Sequence, residues 1–125
     1  MKKAIHTTNA PEAIGPYSQA IVSNGLIFCS GQIPLNHETN ELNQNTISDA
    51  VNQIMQNIKA ILNAANSSLQ NIVKTTIYLI DMNDFAEVNA AYSGYFNSPY
   101  PARSTVQVSA LPKGARVEIE VIAIQ

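Results

Sequence analysis

Charged residues are scarce in this sequence. They make up 13% of its 125 residues, against about 25% in ordinary soluble domains. A small domain with so few charges covers its surface poorly, so association with further copies, which hides surface, is a reasonable expectation. The sequence has no long run of Lys or Arg, and the net charge is −2. Nucleic-acid binding, which needs a clustered basic face, is therefore not expected.

Cysteine and metal-binding patterns are equally sparse. Cys29 is the only cysteine, so an internal disulfide is impossible, and a buried thiol in a reducing, cytoplasmic protein is expected. The N-terminus lacks the apolar stretch of a signal peptide, and no apolar run approaches a membrane span. His6 and His37 have no partners at ligand spacing, so no metal site is predicted. Phosphate-binding loops and nucleophile elbows are also absent.

The chain of 125 residues suits a single domain, spanning 1–125. Strand and helix patterns alternate in the middle, with paired strands towards both ends. This order predicts an α+β domain with two helices on one face of a mixed sheet. The other face is left uncovered and would need a partner. The predicted strands cover 3–7, 18–23, 26–30, 71–80, 103–108 and 116–123, and the predicted helices cover 47–65 and 85–96.

Turn and cap residues mark several of these boundaries. Asn24-Gly25 between two strand-like runs is the strongest short signal for a hairpin. Gly31 permits a bulge or a close approach of backbone at the end of the second run. Thr46, with Asp49 three residues later, resembles a capping box, and Asp84 with Glu87 predicts a second one.

The last quarter of the chain predicts a second hairpin. Residues 103–108 and 116–123 both alternate between apolar and polar side chains, and 111–114 supply Pro and Gly for a tight turn. Closing the hairpin on this turn pairs Ala110 with Ala115. It also sets Thr105 opposite Glu120.

In this register, an arginine and two carboxylates share one face of the ribbon. The Arg103 guanidinium matches a substrate carboxylate, and Glu118 or Glu120 could act as general acid and base. A cross-strand salt-bridge ladder on a solvated face explains the same pattern, and the pattern alone favours the ladder. Tyr17, fixed by the preceding proline, either points into a pocket or packs at a loop–sheet junction. Asn89 has the position of an ordinary helix-surface residue.

Several blocks along the whole chain weigh against the ladder, because together they resemble the RidA (YjgF-type) reactive-intermediate deaminase family. They match that family in order and spacing. The blocks are AIGPYSQ at 13–19, SGQIP at 30–34, IVKTT at 72–76, NDFAEVN at 83–89, PARSTVQVSALP at 101–112 and VEIE at 117–120.

The resemblance implies a chorismate-mutase-like fold assembled as a homotrimer, with active sites between subunits. It further implies hydrolysis of 2-imino or 2-enamino acids, such as 2-aminoacrylate-type compounds released by pyridoxal-phosphate-dependent dehydratases, to 2-keto acids and ammonia. An imine is already electrophilic, so the chemistry needs mainly orientation and a proton carrier. The resemblance implies no cofactor and no metal.

Carried over by position, the resemblance implies that Arg103 binds the substrate carboxylate with help from the backbone N–H of Thr105. It implies that Glu118 activates water and assists the departure of ammonia, and it leaves Glu120 without a role. Many relatives carry cysteine where this chain has Thr105, so any role that needs a thiol there is excluded. The remaining residues implied to line the cleft are Tyr17, Ser30, Gly31 and Asn89.

Two rival functions use the same residues differently. A non-catalytic trimer that binds a keto acid would need Arg103 but would have little use for Glu118 beside another anion. A ribonuclease or translation inhibitor, an activity ascribed to some relatives, would need cations for phosphate contacts, which the acidic composition does not supply.

Overall fold

Six strands and two α-helices make up the regular structure of the computed structural model, which describes residues 1–125. In chain order they are β1 (Lys3–Ile5), β2 (Ala20–Ser23), β3 (Leu26–Gln32), α1 (Ile47–Ala64), β4 (Ile72–Leu79), α2 (Phe85–Ser93), β5 (Ala102–Gln107) and β6 (Val117–Ile124). The strands form one mixed sheet in the order β1-β2-β3-β6-β4-β5. The α+β class with two helices is confirmed.

The β2–β3 hairpin closes through Asn24 and Gly25, as predicted. Both residues have positive φ, at 51° and 76°, which a two-residue type I′ turn requires. Further along β3, the pairing with β6 shifts between Cys29 and Gln32. This shift is a bulge, one of the two features that Gly31 was expected to permit, and it bends the strand just where the candidate site begins.

Helix α1 begins at its predicted cap. The Asp49 backbone N–H donates to Thr46 Oγ1 at 3.0 Å, which satisfies one of the donors left free at a helix start. Asn66 ends the segment in the left-handed conformation, with φ of 60°. The buried side of the helix covers the sheet, and it consists of Ile47, Ala50, Val51, Ile54, Met55, Asn57, Ile58, Ile61 and Leu62.

The second predicted capping box is wrong. Asp84 precedes α2 but makes no side-chain hydrogen bond to the helix. Its carboxylate lies 3.4 Å from the Arg116 guanidinium instead. Asp81 caps the preceding short turn by accepting from the Asn83 N–H. The helix also ends earlier than predicted, at Ser93.

The predicted C-terminal hairpin is wrong as well, because β5 and β6 do not pair. Strand β4 lies between them, parallel to β5 and antiparallel to β6. Helix α2 forms the crossover that a parallel β4–β5 pair needs. Residues 112–114 do form a turn, with φ of 59° at Lys113 and 74° at Gly114, but it leads β6 into the middle of the sheet. Ala110 and Ala115 are therefore not cross-strand partners.

The helices cover only one of the two faces of the sheet. Alternate residues of β6 are buried towards the helices, among them Ile119 and Val121. The opposite face has no helix over it, and its apolar side chains remain open to solvent. Phe28 is 44% exposed and Val106 is 42% exposed. The prediction that one face is left uncovered within a single chain is confirmed.

Candidate active site

A cleft of about 690 Å³ lies beside the uncovered face. Four of the predicted site residues line it: Tyr17, Ser30, Gly31 and Glu118. They come from a loop, the bulged end of β3 and the central strand β6. The sequence blocks that carry them are far apart in the chain, so the sheet is what brings them together.

The loop that carries Tyr17 is tied firmly to β3. Ser30 Oγ donates to the carbonyl of Ser18 at 2.6 Å, and the Ser30 N–H donates to the carbonyl of Gln19 at 2.9 Å. The Gln19 amide in turn donates to the carbonyl of Pro11 at 2.8 Å. Tyr17 directly precedes the anchored Ser18 and Gln19, and it is 54% exposed. Its ring therefore lines the cleft and is not packed at a loop–sheet junction.

The Glu118 side chain lies directly against Gly31. A Cβ atom added at this position would lie 2.5 Å from Glu118 Oε2 and 2.8 Å from its Cδ. Both distances are shorter than van der Waals contact. The absence of a side chain at Gly31 thus lets the backbone approach the carboxyl group of Glu118, and any larger residue there would displace that group from its place at the wall of the cleft.

The environment of Glu118 favours its protonated form. Burial raises the pKa of this carboxyl above its ordinary value, and the Glu120 carboxylate raises it further. Glu120 itself accepts a hydrogen bond from the Tyr78 hydroxyl at 2.6 Å. That bond is the main reason that the pKa of Tyr78 is raised to about 12. A carboxyl with a raised pKa in a cleft is a candidate proton carrier.

Arg103 belongs to a second group of residues, beside α2. Its Nη1 donates to Asn89 Oδ1 at 2.7 Å, and its Cζ lies 5.6 Å from the ring centre of Phe85 and 5.1 Å from that of Tyr92. This group borders a separate cavity of about 430 Å³, to which Tyr100 also contributes. The guanidinium is exposed, so its remaining N–H groups are free to bind an anion.

Thr105 lies on the same side of β5 as Arg103, two residues further on. Its Oγ1 is buried and has no hydrogen-bond partner. The opposite residue on β4 is Ile77, so the predicted pairing of Thr105 with Glu120 is wrong. Thr76 takes that place beside Glu120.

Arg103 and Glu118 lie on opposite faces of the sheet, contrary to the prediction that they share one. Thr75, which is fully buried, is the cross-strand neighbour of Arg103. Tyr78, whose side chain lies on the other side of β4 from that of Thr75, is the cross-strand neighbour of Glu118. Since side chains alternate along a strand, the Thr75–Arg103 pair and the Tyr78–Glu118 pair lie on different faces of the sheet. Within one chain, the guanidinium and the carboxyl therefore belong to separate cavities.

A family profile described as Endoribonuclease L-PSP matches residues 7–125. The chain belongs to this family, the YjgF/RidA family. Among curated relatives, it is 51% identical to a RutC family protein of Pyrococcus horikoshii, over 98% of both chains. It is 47% identical to 2-iminobutanoate/2-iminopropanoate deaminase of Mus musculus, over 100% of this chain and 93% of the relative.

Solved structures of the RidA family match the whole fold. A Rid family protein of unknown function from Yersinia pestis superposes with a TM-score of 0.97 at 52% identity, over 100% of both chains. The YjgF gene product of E. coli gives a TM-score of 0.93 at 46% identity, over 98% of both chains. The recognition of this family from sequence blocks is confirmed.

Three residues of this RidA family member contact the predicted site without having been predicted: Phe85, Tyr92 and Tyr78. The first two lie four residues before and three residues after Asn89, so helical spacing could have placed them beside it. Tyr78 lies on the same side of β4 as Thr76. Only the pairing of β4 with β6 places it beside Glu118 and Glu120.

The remaining reactive side chains are inert or isolated. Burial raises the pKa of the Cys29 thiol to about 12, as expected of a buried structural cysteine. His37 is exposed, and His6 pairs with Glu12 at 3.1 Å. No group of three or more potential ligands could hold a metal ion. Neither helix is long and apolar enough to cross a membrane.

Proposed function

We propose that the protein is a cofactor-independent deaminase that hydrolyses 2-imino and 2-enamino acids, such as 2-iminopropanoate and 2-iminobutanoate, to 2-keto acids and ammonia. The observation that carries this proposal is the Glu118 carboxyl, which lies against Gly31 at the wall of a cleft. Its pKa is raised by burial, which suits a group that must both accept and return a proton near neutral pH. The name of the Mus musculus relative supports the choice of substrate.

The working enzyme in this proposal is a homotrimer with its active sites between subunits. Arg103 of one subunit meets Glu118 of its neighbour, because the two residues lie on opposite faces of a single sheet. The uncovered face, with Phe28 and Val106 exposed, supplies apolar surface for such an assembly. A heterologous contact repeated by rotation closes into a ring, which accounts for several equivalent sites.

The proposed reaction needs only an anchor and a proton carrier. Arg103 and the backbone N–H of Thr105 bind the substrate carboxylate. Water adds to C2 while Glu118 moves a water proton to the imine nitrogen. Glu118 then moves the new hydroxyl proton to the amine, and the C–N bond breaks. One imine and one water give one keto acid and one ammonia, and Tyr17, Ser30, Gly31 and Asn89 shape the cleft.

An assay with imine made in situ by an amino-acid oxidase tests this activity. The wild type should accelerate ammonia release, and Arg103→Ala should lower kcat/KM by about 100-fold, since a charge-assisted contact to the substrate is lost. Arg116→Ala is the matched control, because Arg116 is the only other arginine and it is paired with Asp84. Progress curves of the wild type that match the enzyme-free control would refute the deaminase.

Glu118→Gln separates an enzyme from a keto-acid-binding protein. Loss of the proton carrier should lower kcat by about 100-fold or more. Binding of 2-oxobutanoate, measured by calorimetry, should persist, because Arg103 is untouched. If Glu118→Gln loses neither activity nor binding, Glu118 has no role in the mechanism.

The description of the matching family profile favours a second candidate, an endoribonuclease. Cleavage of RNA needs cations along the phosphate backbone. The chain has 7 Lys and Arg residues in total against 9 acidic ones, and Arg116 is already paired. Incubation of the wild type with single-stranded RNA should therefore leave the RNA intact, and specific cleavage would favour the endoribonuclease.

A further inference from the structure

One row of side chains on α2 faces the Arg103 guanidinium. Phe85, Asn89 and Tyr92 follow one another at spacings of four and three residues, which places them on one side of a helix. Arg103 approaches this row from the edge strand β5. The helix thus presents two aromatic rings and an amide to a single cation.

Each member of the row makes a different contact with the guanidinium. Asn89 Oδ1 accepts from Nη1 at 2.7 Å, so it fixes one end of the planar fork. The two ring centres, at 5.6 Å for Phe85 and 5.1 Å for Tyr92, lie within the range of cation–π attraction. The guanidinium has five N–H donors, and its bond to Asn89 uses one of them. The other donors remain available to bind a ligand.

The Tyr92 ring cannot move freely, because its hydroxyl is bound inside the protein. Thr75 Oγ1 lies 2.9 Å from Tyr92 Oη, and Thr75 is fully buried. Tyr92 itself is 4% exposed, and its ring packs at 4.7 Å between centres against Phe96. Thr75 is also the cross-strand neighbour of Arg103. The ring and the arginine are therefore fixed to the same point of the sheet.

We propose that Phe85 and Tyr92 are positioning residues, which hold the Arg103 guanidinium in one orientation so that its free N–H groups meet a substrate carboxylate without further ordering. A long arginine side chain otherwise loses rotamer freedom when it binds an anion. The role in catalysis rests on the proposed deaminase function, whereas the ordering of Arg103 does not.

Nitrogen NMR on the full-length protein tests the ordering directly. The chain has only Arg103 and Arg116, so ¹⁵Nε relaxation gives one signal from each. Phe85→Leu should lower the order parameter of the Arg103 signal and leave that of Arg116 unchanged. Tyr92→Phe, which keeps the ring but loses the bond to Thr75, should have the same effect to a smaller degree. If the order parameter of the Arg103 signal in both variants equals that in the wild type, the proposal is overturned.

Ligand binding and kinetics test the consequence. Phe85→Leu should weaken binding of 2-oxobutanoate and raise KM for the imine by about 3- to 10-fold, the size expected of lost cation–π contacts, with kcat within about twofold of the wild type. Tyr95→Leu is the matched control, because Tyr95 also packs partly buried on the core but bonds to Asn52. Equal losses in both variants, or a fall in kcat at unchanged KM, would overturn the proposal.

The two proposals fail in different ways. If the wild type does not accelerate deamination, the proposed function is wrong, and the NMR and the 2-oxobutanoate titration still decide the role of Phe85 and Tyr92. If deamination proceeds and the Arg103 signal does not respond, the deaminase stands and the positioning role is rejected.

Discussion

At the scale of single residues, the Thr105 hydroxyl is the one buried side-chain polar atom without a hydrogen-bond partner. Such a group retains its desolvation cost with nothing to offset it. Thr105→Val keeps the shape and removes the hydroxyl, so it should raise the free energy of unfolding by about 1–2 kcal/mol. Urea denaturation measures this, with Thr105→Ser as the control that keeps the hydroxyl. A valine variant that is less stable than the wild type would contradict this account of the hydroxyl.

Glu120, left without a role by sequence comparison, affects the charge state of its neighbour. Its carboxylate, held by Tyr78, raises the pKa of Glu118. Glu120→Gln keeps an acceptor for Tyr78 but removes the charge, so the pKa of Glu118 should fall. In the proposed mechanism Glu118 first acts as a base, and activity is lost when it is protonated. The acidic limb of kcat/KM should therefore move to lower pH.

The pH profiles of two variants check this shift. Glu120→Gln should retain activity at a pH where the wild type has begun to lose it. Glu41→Gln, which removes an exposed carboxylate from the loop before α1, should give the wild-type profile. An unmoved acidic limb in Glu120→Gln would show that Glu120 does not tune the proton carrier.

At the scale of elements, the cap of α1 is a local device with a measurable effect. Thr46 Oγ1 accepts from the Asp49 N–H at 3.0 Å. Thr46→Ala should lower the free energy of unfolding by about 1 kcal/mol, since the donor loses its partner. Ser68→Ala is the control, because Ser68 precedes a short 3₁₀ turn without any side-chain cap bond. Equal stability of Thr46→Ala and the wild type in urea would contradict the assignment.

Local signals of this kind were sufficient to predict most of the elements. The turn at Asn24-Gly25 and the cap at Thr46 depend on residues close in sequence, and both are confirmed. The cap at Asp84 is not, because Arg116 competes for the same carboxylate from 32 residues away. No pattern near Asp84 reveals this partner.

The pairing of the last two strands exposed a different limit. An alternating pattern states which residues share a face of their own strand, but it does not name the neighbouring strand. Strand β6 takes a central place between two apolar strands, whereas β5 is largely exposed and lies at the edge. The motif resemblance named Arg103 and Glu118, and only the register with β4 showed that they face opposite ways.

At the scale of the whole molecule, the separation of these two residues argues for a site that one chain cannot complete. The guanidinium group lies beside α2, and the carboxyl group lies in the cleft beside the uncovered face. A partner that repeats the same contact by rotation would bring one of each together. Subunits with complementary defects test this proposed arrangement directly.

Arg103→Ala and Glu118→Ala subunits should each have very low activity alone and regain activity when mixed. In randomly assembled trimers, half of the positions supply Arg103 and half of their neighbours supply Glu118, so about one quarter of the sites are complete. Co-refolding equal amounts of the two variants should thus restore about one quarter of wild-type kcat at unchanged KM. The doubly substituted chain, co-refolded with wild type, is the control for assembly. Mixtures that stay inactive while forming trimers would place the whole site within one chain, or would show that the wrong pair had been chosen.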